Sequence, residues 1–540
     1  MASIKTILLK KTFSMTGATF LSRILGLVRV RLESAVLGGG EIASGWFFAF
    51  ALPNLLRRLF GEGVLTSVII PMVAKDDIEG GSKLVKKNVG LILTYLALLL
   101  SLIVILVIAL AAIGLLLTNY TSLQLEYFRT PRMQLVLKLI PLLMPYGLFI
   151  CQVGVLCGIL NYIKIFLLPT LSYISLNVFL IGGLSYIYFF KATNISVQRY
   201  LPILAILVVL SSIGQFIYLL YLLKKNGFLP IFSFKGENCK AIFQDLWRKA
   251  LPGMIGAGCV QISFLVDRTC ASFLGPQAIP ALTYVDRIID LPIGLFAVAM
   301  GTVMLPGFSK LAAQKDFEQM AKDLTYALRH VAFLCVPMGI GVIFFYESVL
   351  YILCVGGNYT LNDLEATRLV AIFYGLGIPF YCTLKILLPA YYSRQDMVTP
   401  CKVSVLMVVV NIVLNLSLMQ FLAQGGIALA TVVTALLQNI ILLLLLKRRI
   451  LNISINEVIP SYIKAFIFSF ISGFIVVYFV KYLGNYPLIG KYIDTSSRIT
   501  QIIYLGIAGP LFVICYLALM KLFKSPEVGE LFAVLRKKKA

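Results

Sequence analysis

The stretch LILTYLALLLSLIVILVIALAAIGLLL, Leu91–Leu117, runs for 27 residues without a charge. A helix rising 1.5 Å per residue needs about 20 apolar residues to cross a hydrocarbon layer about 30 Å thick. In lipid the backbone must satisfy its own hydrogen bonds, so only helices and closed barrels are admissible. The run is continuously apolar rather than alternating, which selects the helix. Uncharged runs at Leu201–Leu223 and Val403–Phe421 repeat the signal.

The whole chain shares this character. Of its 540 residues, 60% are hydrophobic and 13% are charged. A soluble domain carries about 25% charged residues, so an ordinary soluble enzyme is excluded. Lysine and arginine number 47 against 23 acids, a net charge of +24. Such a charge invites a nucleic-acid reading, but the apolar content argues against it and no nucleic-acid partner is expected. The ten cysteines sit singly in apolar stretches without a CxxC pair, and the single histidine, His330, has no ligand-like neighbour. Neither disulfide nor transition-metal chemistry is expected from them. Lys5, Lys10 and Lys11 open a faintly signal-like N-terminus that lacks a small-residue cleavage site and is expected to be retained.

Division at charge and Gly/Pro clusters predicts an all-α polytopic membrane protein of about fourteen spans. They fall near 14–38, 44–73, 88–117, 133–160, 167–190, 200–223 and 247–274 in the first part. The second part holds 279–308, 325–346, 366–391, 400–422, 425–446, 459–482 and 499–522. Lysine and arginine concentrate at Lys75–Lys87, Lys224–Lys249, Lys310–Arg329, Lys447–Arg449 and Arg536–Lys539, whereas Gly38–Ser44, Gly275–Ala281 and Ala423–Gly426 hold none. The termini and even-numbered loops carry about 29 cations and the odd-numbered loops about 8, which places both termini in the cytoplasm.

A weak internal repeat organises the spans. TSVIIPMVAK, Thr66–Lys75, answers GTVMLPGFSK, Gly301–Lys310, and the loops ending at Pro169 and Pro400 each precede a span with an interior asparagine, Asn177 or Asn411. Two six-helix lobes follow, 1–225 and 226–450, with two further helices and a basic tail in 451–540. Parallel repeats around a central cleft are a common build for secondary transporters.

About ten cations remain inside the spans, where each costs about 2.5–3.5 kcal/mol on insertion scales and calls for a partner or a cavity. Arg23, Arg29, Arg31 and Glu33 lie in the first span, Arg57, Arg58 and Glu62 in the second. Arg29 with Glu33 and Arg58 with Glu62 stand i,i+4 and can pair locally. The arginines outnumber those two acids, so an anionic ligand is expected. Asp286, Arg287 and Asp290 form a cluster that reads either as a local ion network or as a further part of a cationic cage. The arginine fork suits diphosphate or carboxylate. Asp267, Asn411, Asn415, Thr431 and a carbonyl freed at the Gly425–Gly426 break offer hard oxygen donors for an alkali cation. The plainer reading is interhelical hydrogen bonding, with Asp267 paired to Arg268. No HExxH or Walker A pattern or Asp-rich metal motif occurs, so no enzyme is expected.

SRILGLVR (Ser22–Arg29), ALPNLLRRLFGEG (Ala51–Gly63), VQISFLVDR (Val260–Arg268), YVDRIIDLPIGLF (Tyr284–Phe296) and YYSRQDMVTP (Tyr391–Pro400) resemble the MurJ/MviN family. That family belongs to the multidrug/oligosaccharidyl-lipid/polysaccharide exporter superfamily. The resemblance implies fourteen helices and a flippase that carries lipid II, the peptidoglycan precursor, across the cytoplasmic membrane, with a C-terminal helix pair forming a groove for the polyprenyl tail. It implies a substrate site at Arg23, Arg29, Arg57, Glu62, Asn177 and Arg287, and a sodium site at Asp267, Asn411, Asn415, the Ile427 carbonyl and Thr431. Sodium would be the only cofactor. Lipid II, membrane lipids and cell-wall synthesis proteins are the implied partners of a monomer. A frequent family aspartate is Ser44 here, and Asn415 replaces a second sodium-site carboxylate. The alternatives are a flippase for an O-antigen or capsule unit, a drug/cation antiporter and a non-transporting scaffold.

Overall fold

The computed structural model describes residues 22–61, 64–120, 130–163, 165, 167–172, 174–190, 197–233, 244, 258–449, 453–484 and 497–530. Glu62 lies outside them. The described chain is helical apart from one isolated bridge between Gly356 and Tyr359. It forms two compact units, 1–272 with Gly356–Tyr359, and 273–355 with 360–540. Residues 258–272 of the seventh span therefore fall in unit 1.

Unit 1 contains α1 (22–37), α2 (Glu41–Leu56), α3 (Val64–Tyr120), α4 (Pro131–Tyr162), α5 (Ile174–Phe190), α6 (Leu201–Lys225) and α7 (258–272). Helix α4 is its centre and packs against α2, α3 and α6. Thr130 caps α4 by accepting from the Met133 amide at 3.3 Å, and Pro131 takes the first turn, where no amide donor is needed. Within α3 the apolar face is turned outward, with Leu102 66% and Ile105 63% exposed. A row of this kind faces lipid, not water. The second and third spans were expected as separate helices across Lys75–Lys87. They are continuous in α3 except at Gly81, whose φ of 62° breaks the line. Lys75 and Glu79, 3.7 Å apart, support the turn before it.

Unit 2 contains α8 (Ala278–Pro292), α9 (Val298–Ala313), α10 (Phe317–Leu353), α11 (Arg368–Tyr392), α12 (Val398–Arg449), α13 (Ile455–Gly484) and α14 (Arg498–Leu522). Helix α10 starts at Phe317, ahead of the expected 325, because Asp316 caps it and Glu318 pairs with Lys322 at 2.7 Å. It packs against α11, α13 and α14. Val336, Ile340, Phe345, Ala465, Val476, Val480, Ala508 and Phe512 form the shared core of α10, α13 and α14. Helices α10 and α11 touch backbone to backbone: a Cβ on Gly339 would stand 2.3 Å from the Gly375 carbonyl oxygen. Helix α12 breaks at Ala423, where φ is 47°, which separates the two spans expected at 400–422 and 425–446.

The internal repeat carries a geometric signature. The π segment Arg57–Gly61 follows α2, and a second, Ile293–Ala297, follows α8. Each widened turn follows directly on a helix of about four turns. Such segments interrupt the regular ladder and recur at functional sites.

Among the described residues eight helices are long and apolar enough to cross a membrane. The others in the fourteen-span reading are short, charged or interrupted, as in α2 and α8.

Candidate functional site

Arg23, Arg29 and Arg31 occupy α1, and Arg57 and Arg58 open the first π segment. Arg29 is 8% exposed and donates from Nε to Glu33 Oε1 at 2.8 Å. Its Cζ also stands 6.0 Å from the Phe50 ring centroid on α2. Arg57 Nε donates to Asn54 Oδ1 at 2.9 Å, a bond within its own helix. Arg58 Nη1 reaches Gln261 Oε1 of α7 at 3.2 Å, and its guanidinium lies 5.5 Å from the Phe264 ring. Arg268 stacks on the same ring at 4.6 Å. Phe264 thus meets two cations, a cation–π contact favoured where water is scarce.

Asn177, on α5, donates to the carbonyl of Ser22 at 3.3 Å, which brings it beside the residue preceding Arg23. Ser44 is fully buried, and its Oγ has no hydrogen-bond partner among the described residues. Cys151 covers the Leu56 carbonyl at 3.3 Å, at the entry to the widened turn. Gln261, Phe264 and Phe50 were not singled out from sequence. Their contacts to Arg29 and Arg58 span 21 to 206 positions, so no local pattern announces them.

In unit 2, Arg287 is half-buried on α8, where Tyr284, Val285, Ile288 and Ile289 form the buried face. Asp286 is half-buried beside it and Asp290 is exposed.

Asp267 is 5% exposed in unit 1, while the other four expected sodium donors lie in unit 2. Asn411 and Asn415 are 1% and 0% exposed, and Asn415 Nδ2 donates to Asn411 Oδ1 at 3.2 Å. Thr431 Oγ1 donates to the Ile427 carbonyl at 3.1 Å. The two arms of α12 run antiparallel. Gln438 Nε2 donates to Ser404 Oγ at 3.0 Å, and a Cβ on Gly426 would stand 2.2 Å from the Leu418 carbonyl oxygen. Between these two contacts the arms stay in register, which sets Asn411 level with Thr431 and Asn415 level with Ile427. Two amide oxygens, a hydroxyl and a carbonyl therefore share two adjacent layers, a donor set that suits a hard monovalent cation. Among the described residues no group of three or more His, Cys, Asp or Glu side chains could hold a metal.

Unit 2 also contains an apolar cavity of about 500 Å³. Its walls come from α10, α11, α12 and α13, including Ile340, Pro379, Val432, Tyr462 and Phe466. The Tyr462 hydroxyl is satisfied by Thr383 Oγ1 at 2.5 Å, so the one polar tip among these five makes no demand on an occupant. Helix α14 contributes no lining residue.

Comparison with known proteins follows the same outline. Residues 34–493 match the family described as lipid II flippase MurJ. A probable lipid II flippase MurJ of Vibrio cholerae is 31% identical over 445 residues, 81% of this chain and 82% of that one. The lipid II flippase MurJ of Burkholderia cenocepacia is 27% identical over 446 residues, covering 82% and 84%. Among solved structures, a lipid II flippase MurJ in an inward closed conformation superposes with a TM-score of 0.74 at 24% identity, covering 94% and 98%. An inward-facing multidrug resistance MATE transporter of the MOP superfamily gives 0.59 at 16% identity, covering 79% and 94%. These two likenesses concern the fold.

Proposed function

The chain belongs to the lipid II flippase MurJ family and is a multi-pass membrane transporter rather than an enzyme, and from that premise we propose how it moves its substrate. The substrate is lipid II, the precursor required for peptidoglycan synthesis. Its diphosphate is held by Arg23, Arg29 and Arg57, with Glu62 limiting the charge of the site and Asn177 placed beside the start of α1. Arg287 of unit 2 offers a further guanidinium to an anion. The polyprenyl chain takes the apolar cavity lined by α10–α13. The protein alternates access to the two faces of the cytoplasmic membrane.

The observation that carries this reading is the buried Arg29, one of several arginines where the bilayer tolerates few. A guanidinium offers two parallel hydrogen bonds to a phosphate, and a low-dielectric surrounding strengthens them. Transport toward the outer face is favoured by an inside-negative potential, by up to about 2.3 kcal/mol per charge per 100 mV. Sodium is a further driving ion, taken by Asn411, Asn415, the Ile427 carbonyl and Thr431 of unit 2.

The test is replacement of the resident flippase in a depletion strain, scored by lipid II accessible at the outer face. Growth and outward lipid II at near-normal levels are expected. Growth without outward lipid II would refute the substrate assignment.

The loop charges support a cytoplasmic position for both termini, which gives a separate expectation. With the native cysteines replaced by alanine, Gly275→Cys should react with an impermeant maleimide added to intact cells. Asn226→Cys should react only after permeabilisation. The reverse pattern would invert the topology.

A further inference from the structure

Glu33 has no part in the site above, yet its carboxylate is one of the most enclosed charges in unit 1. It is 2% exposed, and its partner Arg29 is 8% exposed. The contact joins Glu33 Oε1 to Arg29 Nε at 2.8 Å, across one turn of α1. A guanidinium presents five N–H donors in a planar fork, one on Nε and four on the two Nη atoms. Glu33 accepts from Nε only. Among the described residues the guanidinium makes no other hydrogen bond, and its remaining contact is the Phe50 ring at 6.0 Å.

These two contacts hold the group on two sides. Glu33 holds one edge, Phe50 stands against the group, and the Nη1/Nη2 edge is left for a bidentate acceptor. Without the carboxylate, the arginine stem is free to swing through several rotamers, and that freedom must be given up when the anion binds.

We propose that Glu33 is a positioning residue for anion binding: by accepting from Nε it presents the Nη edge of Arg29 to a diphosphate. The proposal rests on the reading of Arg29 as a diphosphate ligand. It makes the location of the acceptor oxygen decisive, not the charge. That is unusual for a carboxylate beside an anion site, since simple electrostatics assigns it a purely repulsive effect.

Two variants separate position from charge. Glu33→Gln keeps an acceptor oxygen at the same reach and removes the charge. Glu33→Asp keeps the charge but withdraws the oxygens by about 1.5 Å, one carbon–carbon bond. The probe is geranylgeranyl diphosphate, titrated against the detergent-solubilised full chain, with Kd as the readout. Glu33→Gln is expected to bind within about threefold of the parent, and Glu33→Asp about tenfold more weakly, the size of one misplaced charge-assisted hydrogen bond. In an Arg29→Ala background, Glu33→Asp should cause no further loss.

The opposite order, Asp tolerated and Gln weakened, would overturn positioning in favour of charge balance. Tighter binding by both variants would show that Glu33 competes with the anion, and would also overturn it. Equal losses from Glu33→Asp with and without Arg29 would show that it acts elsewhere. If Arg29→Ala itself binds like the parent, the diphosphate reading of Arg29 fails first and takes the proposal with it.

Discussion

Arg29→Ala is expected to stop lipid II from reaching the outer face and, separately, to lower the amount of protein in the membrane. The two losses have different causes. Translocation fails because the diphosphate loses a guanidinium whose charged hydrogen bonds contribute about 1.5–3 kcal/mol each, so the flux should fall about a hundredfold or more. Protein level falls because Glu33, 2% exposed, is left as a buried carboxylate without its cation. Removing one member of a buried pair costs about 3–5 kcal/mol, a large fraction of the stability of a folded domain. A single alanine variant therefore confuses a transport defect with a folding defect. The double variant Arg29→Ala, Glu33→Gln removes the uncompensated charge. It should restore the membrane level toward that of the parent while translocation stays absent. The measurement is paired: immunoblot of the membrane fraction, and outward lipid II in the depletion strain. Recovery of both by the double variant would mean that Arg29 acts only as a structural cation. Failure to recover protein would mean that Glu33 does not carry the folding cost.

Why some of this was legible in sequence and some was not has a physical basis. Helical spans were legible because lipid enforces one backbone solution and the apolar runs are long. The break in α12 was legible as well, because Gly425 and Gly426 interrupt the run next to Ala423, where the chain turns. The Arg29–Glu33 pair was visible as an i,i+4 spacing, since a helix brings such residues onto one face. The two π segments were not. Nothing in the composition of Arg57–Gly61 or Ile293–Ala297 marks an extra residue per turn; a widened turn is set by packing as much as by local preference. Arg58 makes the same point at longer range: it donates to Gln261 on α7, 203 positions away, while its local candidate partner Glu62 lies outside the described residues. The level pairing of Asn411 with Thr431 and of Asn415 with Ile427 is intermediate. It depends on how tightly the α12 arms turn, and the approach of Gly426 to the Leu418 carbonyl fixes that.

Glu527→Ala is expected to release the C-terminal segment from unit 2. The segment 525–530 follows α14 and returns its Glu527 side chain, 1% exposed, between α10 and α13. Arg329 Nε of α10 donates to it at 3.0 Å, Ser461 of α13 at 2.8 Å, and Ser525 also donates to it. Val528 packs with Phe333, Phe468, Tyr516 and Met520, and the Tyr516 hydroxyl reaches the Phe333 carbonyl at 2.9 Å. The carboxylate thus ties its segment to two helices, α10 and α13, through one group. Loss of a buried ion-pair partner costs about 3–5 kcal/mol, and here the lower end applies because Arg329 keeps Glu457 at 3.4 Å. Burial raises the Glu527 pKa, but hydrogen bonds from Ser525, its own backbone, Ser461 and Arg329 outweigh it, so the group titrates below its ordinary 4.5. A lowered folded-state pKa means that the stabilisation is fully present above 4.5 and is lost as pH falls through the folded value. Limited proteolysis of the purified chain checks both statements. In the parent, cleavage within 525–530 should be slow and independent of pH from 8 to about 5, then accelerate in acid. In Glu527→Ala it should be fast throughout, and Glu527→Gln, which cannot titrate, should lose the acid-dependent step attributable to residue 527. Slow cleavage of Glu527→Ala at neutral pH would show that the apolar contacts around Val528 hold the segment without the carboxylate.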